Sequence, residues 1–160
     1  LYTVAGTKAA CFEQTKADLF GPFNPAGLTS SQIEAVHLTH PDGRSVSLSA
    51  LSEPASSGAA DADSGYTTVW RNTEDPETEL DDTAVQNLLS ALSGYVTGQI
   101  AQEEAAEVGF QTVVTAEVTA GETTRTLTYG AGIDGYYLMV SGEDALYSVE
   151  ETIVDALRNF

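Results

Sequence analysis

Residues 125–149, RTLTYGAGIDGYYLMVSGEDALYSV, constrain the fold more than any other stretch of the chain. Apolar residues alternate at Leu127 and Tyr129 and again at Tyr137 and Met139. Gly130, Gly132, Gly135 and Gly142 break the runs where a turn needs backbone freedom. The spacing predicts three short strands joined by two tight turns. Strands joined so closely can only pair antiparallel, because a parallel neighbour needs a crossover of a dozen or more residues.

The rest of the chain follows the same pattern. Residues 1–4 (LYTV) read as a short strand and residues 7–20 as a helix stopped by Gly21-Pro22. Ile33 to Thr39 and Ser45 to Leu51 alternate around His40-Pro41-Asp42-Gly43, which predicts a β-hairpin. Residues 53–65, rich in Ala, Ser, Gly and Asp, read as a surface loop or a long hairpin tip, and residues 66–72 as a strand carrying Trp70. Asp81 or Asp82 is expected to cap the strongest helix, with Val85, Leu88, Leu89, Leu92, Tyr95 and Val96 on one stripe and Gly98 as its stop. Residues 103–107 suggest one more helical turn, ended by Gly109 in a left-handed conformation. Strands at 112–119 and 123–129 meet at Ala120-Gly121-Glu122, and residues 150–160 close as a helix with Ile153, Val154 and Leu157 inward. The expected class is α+β: an antiparallel sheet of about six to seven strands with two to three helices packed on one face.

The chain contains an internal echo. Leu1-Tyr2-Thr3-Val4-Ala5-Gly6-Thr7 aligns with Leu146-Tyr147-Ser148-Val149-Glu150-Glu151-Thr152 at four of seven positions, each followed by a helix-like segment. On that reading residues 1–30 are the strand-helix tail of a preceding module plus a linker, and residues 31–160 are one α+β module.

Charge narrows the function. Six basic residues against 24 acidic ones give a net charge of −18, a surface that repels nucleic-acid phosphates and anionic lipid headgroups. No nucleic-acid partner is expected, and no apolar run approaches the roughly 20 residues of a membrane span. Cys11 stands alone, so no internal disulfide can form, and Lys8 occupies a position where a lipoprotein cleavage box needs an apolar residue. Because the chain starts at Leu1, an upstream segment is expected to have been removed, one that could hold a signal peptide or membrane anchor.

No constellation of catalytic residues stands out. His37 and His40 are three apart, which places them on opposite faces of a strand, and two ligands do not make a metal site. Asp61-Ala62-Asp63-Ser64-Gly65 resembles the start of a calcium loop, but its Gly falls one position early and Asn72 replaces the closing Glu. Glu74, Asp75, Glu77, Glu79, Asp81 and Asp82 precede a helix N-terminus, where negative charge is favourable without any ligand. There is no G-x-S-x-G motif and no phosphate-cradling glycine loop. Gly94 and Gly98 read as a small-xxx-small pair on the helix. Catalytic, cofactor and metal residues are expected to be absent. Trp70, Tyr129, Tyr136, Tyr137 and Tyr147 form the candidate binding surface, with core packing as the competing reading for strand tyrosines.

The hairpin at 33–51, the strand Val69-Trp70-Arg71, the helix at 81–95, Val108-Gly109-Phe110 and the run from Leu127-Thr128-Tyr129-Gly130 through Leu146-Tyr147-Ser148-Val149 together resemble the family called domain of unknown function 4340. The resemblance covers roughly residues 31–160. It implies modules carried in tandem, anchored by an N-terminal membrane helix and facing outward from the cytoplasm of a bacterium, some beside transporter or gliding-motility components. The expected function is a non-catalytic binding or assembly module with protein partners in the cell envelope. A carboxylate-dependent hydrolase acting on an envelope or extracellular substrate is the alternative, and a cation-dependent adhesin is a third reading.

Overall fold

A computed structural model of the chain describes residues 22–54, 66–96, 98–101 and 106–160. The expected strand and helix at 1–20, the Asp61–Gly65 calcium-like stretch, Cys11 and most of the 103–107 helical turn lie outside the described residues.

The fold is α+β, with eight antiparallel strands and two α-helices among the described residues. The strands are β1 (Ala35–Thr39), β2 (Ser45–Pro54), β3 (Tyr66–Asn72), β4 (Gly98–Ala101), β5 (Gln111–Ala120), β6 (Thr123–Gly132), β7 (Gly135–Val140) and β8 (Ala145–Val149). The helices are α1 (Asp82–Leu92) and α2 (Glu151–Arg158). The strand order is β3-β2-β1-β5-β6-β7-β8-β4. Two runs of consecutive strands, β3-β2-β1 and β5 to β8, are thus joined along β1 and β5, where Val36 faces Val118 and Leu38 faces Ala116.

The strand count exceeds the six to seven expected because of β4. Gly98 begins a strand instead of stopping a helix, and residues 98–101 pair with 145–148 of β8. Four residues are too few to show a period-two pattern, so only the tertiary partner reveals them. β3 and β4 are the two sheet edges, and α1 with its flanking connections carries the chain from one edge to the other.

The helix α1 forms where the periodicity placed it. Asp81 is its N-cap, its Oδ1 accepting from the Ala84 amide at 2.9 Å, a bond that stabilises such a helix by about 1 kcal/mol. It ends at Leu92, earlier than the apolar stripe suggested. Tyr95 lies beyond it, exposed, and Val96 instead makes a β-bridge with Phe23. Gly94 and Gly98 therefore do not share a helix face. The 22–28 stretch is tied to the same core, with Ala26 and Leu28 buried and the Phe23 ring edge-on to Tyr147 at 5.6 Å.

One face of the sheet carries the core. Val36, Leu38, Leu48, Val114, Ala116, Val118, Leu127, Tyr129, Leu138, Val140 and Tyr147 pack in one cluster with Val85, Leu88, Leu89 and Leu92 of α1 and Val154 and Leu157 of α2. Burying each such leucine contributes about 1.5–3 kcal/mol relative to exposure. The second half of the 125–149 block departs from its expected phase. Leu138 and Val140 of β7 point to this core, while Tyr137 and Met139 lie on the other face. In a strand reading YYLMV both faces are apolar, so alternation cannot choose between them.

Gly130 and Gly132 also differ from expectation. Gly130 sits inside β6 and Gly132 is its last residue, paired with Gly135 across the β6–β7 turn; neither takes positive φ, and both serve close packing. A Cβ on Gly130 would lie 2.5 Å from the Phe110 ring, and one on Gly132 would lie 2.7 Å from Tyr137. The turns themselves use Gly121, Gly135 and Gly142, all at positive φ.

Candidate functional site

The other face of the sheet divides in two. Over β7 and β8, Tyr137 and Leu146 are buried outside the main core, and Phe110 covers Gly130. Over β2, β1, β5 and the start of β6, polar side chains at alternate positions share the face: Ser45, Ser47 and Ser49, then His37 and Thr39, then Thr115, Glu117 and Thr119, then Thr124, Thr126 and Thr128. All are partly or fully exposed. Period-two alternation makes this inevitable once the opposite positions enter the core.

At the centre of that plane one lateral row runs Ser47, His37, Glu117, Thr126 across four adjacent strands. His37 Nδ1 and Ser47 Oγ share a hydrogen bond of 2.7 Å, and His37 Nε2 meets the Thr39 hydroxyl at 3.3 Å. Both ring nitrogens are thus engaged by hydroxyls. A serine against a histidine is the opening of a nucleophilic arrangement, but acyl transfer also needs amide donors aimed at the developing oxyanion. Around Ser47 the backbone is paired on both sides, with β1 and with Thr73 beyond β3. The row therefore offers donors and acceptors to a ligand lying flat on the sheet.

The five aromatic residues singled out from sequence do not share a surface. Tyr129 is buried under the helices, its hydroxyl 3.5 Å from the Ala91 carbonyl, and burial pushes its phenol well above the usual tyrosine range. Tyr147 lies in the same core and donates to Glu143 at 3.3 Å. Its phenol is raised by burial first and by the Glu143 carboxylate second. Trp70, on the edge strand β3, is half-buried against that core. Tyr136 reaches the core rim, where it donates to Glu151 at 3.1 Å and lies 5.8 Å beneath the Arg158 guanidinium. Tyr137 alone faces the opposite side, packed over Gly132.

Other sequence features fall into place individually. His40, in the β1–β2 turn, is buried, and its Nε2 has no hydrogen-bond partner. Among the described residues no group of three or more His, Cys, Asp or Glu side chains is placed to hold a metal ion. From the acidic connector, Asp81 caps α1 and Asp75 accepts from Thr78 at 2.6 Å. Glu77 and Glu79 border a shallow groove of about 560 Å³ with Glu53 and Arg71, which pair with each other at 3.2 Å. A second groove, of about 640 Å³, runs between α1 and α2 past Asn87, Ser90, Thr152 and Asp155.

Half of the central row was legible in advance. The β1–β2 hairpin register follows from its turn, and that register sets His37 against Ser47. Glu117 could not be placed, because its neighbourhood depends on pairing between segments some eighty residues apart. Among the described residues no helix is long and apolar enough to cross a membrane. Comparison of the chain with protein-family models, with curated proteins and with solved structures finds no match.

Proposed function

We propose that this chain is a non-catalytic binding or assembly module that works outside the cytoplasm and presents its open sheet face to a protein partner of the cell envelope. One observation carries the reading: the sheet places its helices and core on one side, while on the other, over β2, β1, β5 and the start of β6, Ser, Thr, His and Glu side chains form an open polar plane. Such a plane suits a partner read by hydrogen bonds over a broad area. The outward-facing, membrane-anchored setting rests on the sequence resemblance to domain of unknown function 4340 modules. The strong negative charge supports solubility and favours a partner with basic groups.

The test is capture from a solubilised envelope extract by the wild-type chain and by a Thr115→Lys/Thr128→Lys variant, with melting followed in parallel. The variant is expected to melt like the parent and to lose the captured protein. Equal capture by both would sink the open-face reading.

The groove bordered by Glu53, Glu77 and Glu79 favours a second reading, a carboxylate-dependent hydrolase. Glu53 is already paired with Arg71, and Glu77 and Glu79 stand exposed on the connector, where a carboxylate is fully hydrated. Turnover of a glycoside or ester panel that disappears in Glu77→Gln would replace the binding reading with this one.

A further inference from the structure

The chain has four arginines, at 44, 71, 125 and 158. Three pair with acids: Arg44 with Asp42 at 2.7 Å, Arg71 with Glu53 at 3.2 Å and Arg158 with Asp155 at 3.1 Å. Arg125 pairs with no acid among the described residues, in a protein where acids outnumber bases four to one. It borders a cleft of about 480 Å³ on the helix-side face, between the turn around Ser30–Gln32 and the β5–β6 hairpin.

Glu34 borders the same cleft. The Glu34 amide donates to Thr119 O, and Ala35 faces Thr119, so Glu34 stands opposite Ala120, which in turn faces Thr123. Arg125 lies one step further along β6, facing Val118. Glu34 and Arg125 are therefore two strands apart, roughly 10 Å laterally, and offset by two residues, roughly 7 Å, along the strands, with the small Ala120 on the strand between them. The space is not filled by an ion pair between the two. Ser31 and Thr123 add hydroxyls to its wall, and Leu28 adds an apolar one.

We infer that this cleft is a binding site for a free α-amino acid with an aliphatic side chain. Arg125 takes the carboxylate through its planar fork of donors, Glu34 takes the ammonium, and Leu28 and Ala120 line the side-chain space. The volume lies within the usual range for small-molecule sites. Charge favours a zwitterion over a simple anion: a field of −18 repels a lone carboxylate but exerts no net force on a neutral ligand with both charges. The cleft is on the opposite side of the sheet from the open polar plane, so this inference stands independently of the partner proposed for that plane.

The probe is L-leucine, titrated to about 10 mM by calorimetry and by amide NMR, with acetate and methylammonium as half-ligands. Saturable binding is expected, with shifts at Gly121 and Thr123. Arg125→Gln and Glu34→Gln should each weaken it at least tenfold, Arg125→Lys less, all with unchanged melting. Both half-ligands should bind at least tenfold more weakly than leucine. No saturable binding of leucine, binding unchanged in both glutamine variants, or half-ligands binding as well as leucine would each overturn the assignment.

Discussion

The two faces of the sheet are made by the same strands, yet they obey different rules. Along β5, Val114, Ala116 and Val118 are completely buried, while the intervening Thr115, Glu117 and Thr119 look outward and keep solvent contact. Folding constrains the first set in volume and shape. It asks of the second only that it not aggregate, and a strand facing water meets that demand with almost any polar residue. The concentration of hydroxyls around His37 and Glu117 is thus free of the core's requirements, which is why function is sought there and not among the buried tyrosines.

The difference between the faces sets a graded series of outcomes. Leu38→Ala, at a position with 0% exposure, should lower unfolding free energy by about 2–5 kcal/mol in urea titrations. Gly130→Ala probes the one region where the second face is itself packed. Its new Cβ meets the Phe110 ring and the Gln111 carbonyl, so a loss of about 1–3 kcal/mol is expected, partly restored by Phe110→Ala, which removes the ring.

Alkaline titration sharpens the contrast through Tyr129. Its phenol is held above the ordinary range when folded, so above about pH 10 the unfolded chain gives up a proton that the folded chain keeps. Stability from this group is complete below that pH and falls as pH rises, by about 1.4 kcal/mol per unit. Tyr129→Phe should remove that share of the slope in denaturation curves taken between neutral pH and pH 11. Thr128→Ala, on the open face, should change stability by no more than about 0.5 kcal/mol at neutral pH.

Most of the fold could be read from local pattern. The β1–β2 hairpin, β3, α1 and the β5–β6 hairpin lie close to where alternation, helical spacing and turn residues placed them, because each writes its own periodicity into adjacent residues. What could not be read depended on distant partners. β4 exists because β8 offers an edge, the phase of β7 is fixed by the register with β6, and Gly130 is small because Phe110 arrives above it. The candidate site suffers the same limit. Trp70 and the tyrosines are conspicuous in sequence, but burial on one face claims Tyr129 and Tyr147. Beyond the His37–Ser47 pair, which one hairpin register sets, the row from Ser47 to Thr126 has no sequence signature, since its remaining members come from strands distant in the chain.

The most direct test of the two-face account compares lysine at two adjacent positions of β5 in thermal denaturation. Ala116 has 0% exposure, whereas Thr115 lies on the open face. Thr115→Lys is expected to melt within a few degrees of the parent, about 2–4 °C for each kcal/mol in a chain of this size. Ala116→Lys, forced to bury an unpaired ammonium, should lose its cooperative transition. Equal damage from both would mean that the open face is covered, and the central claim would fail.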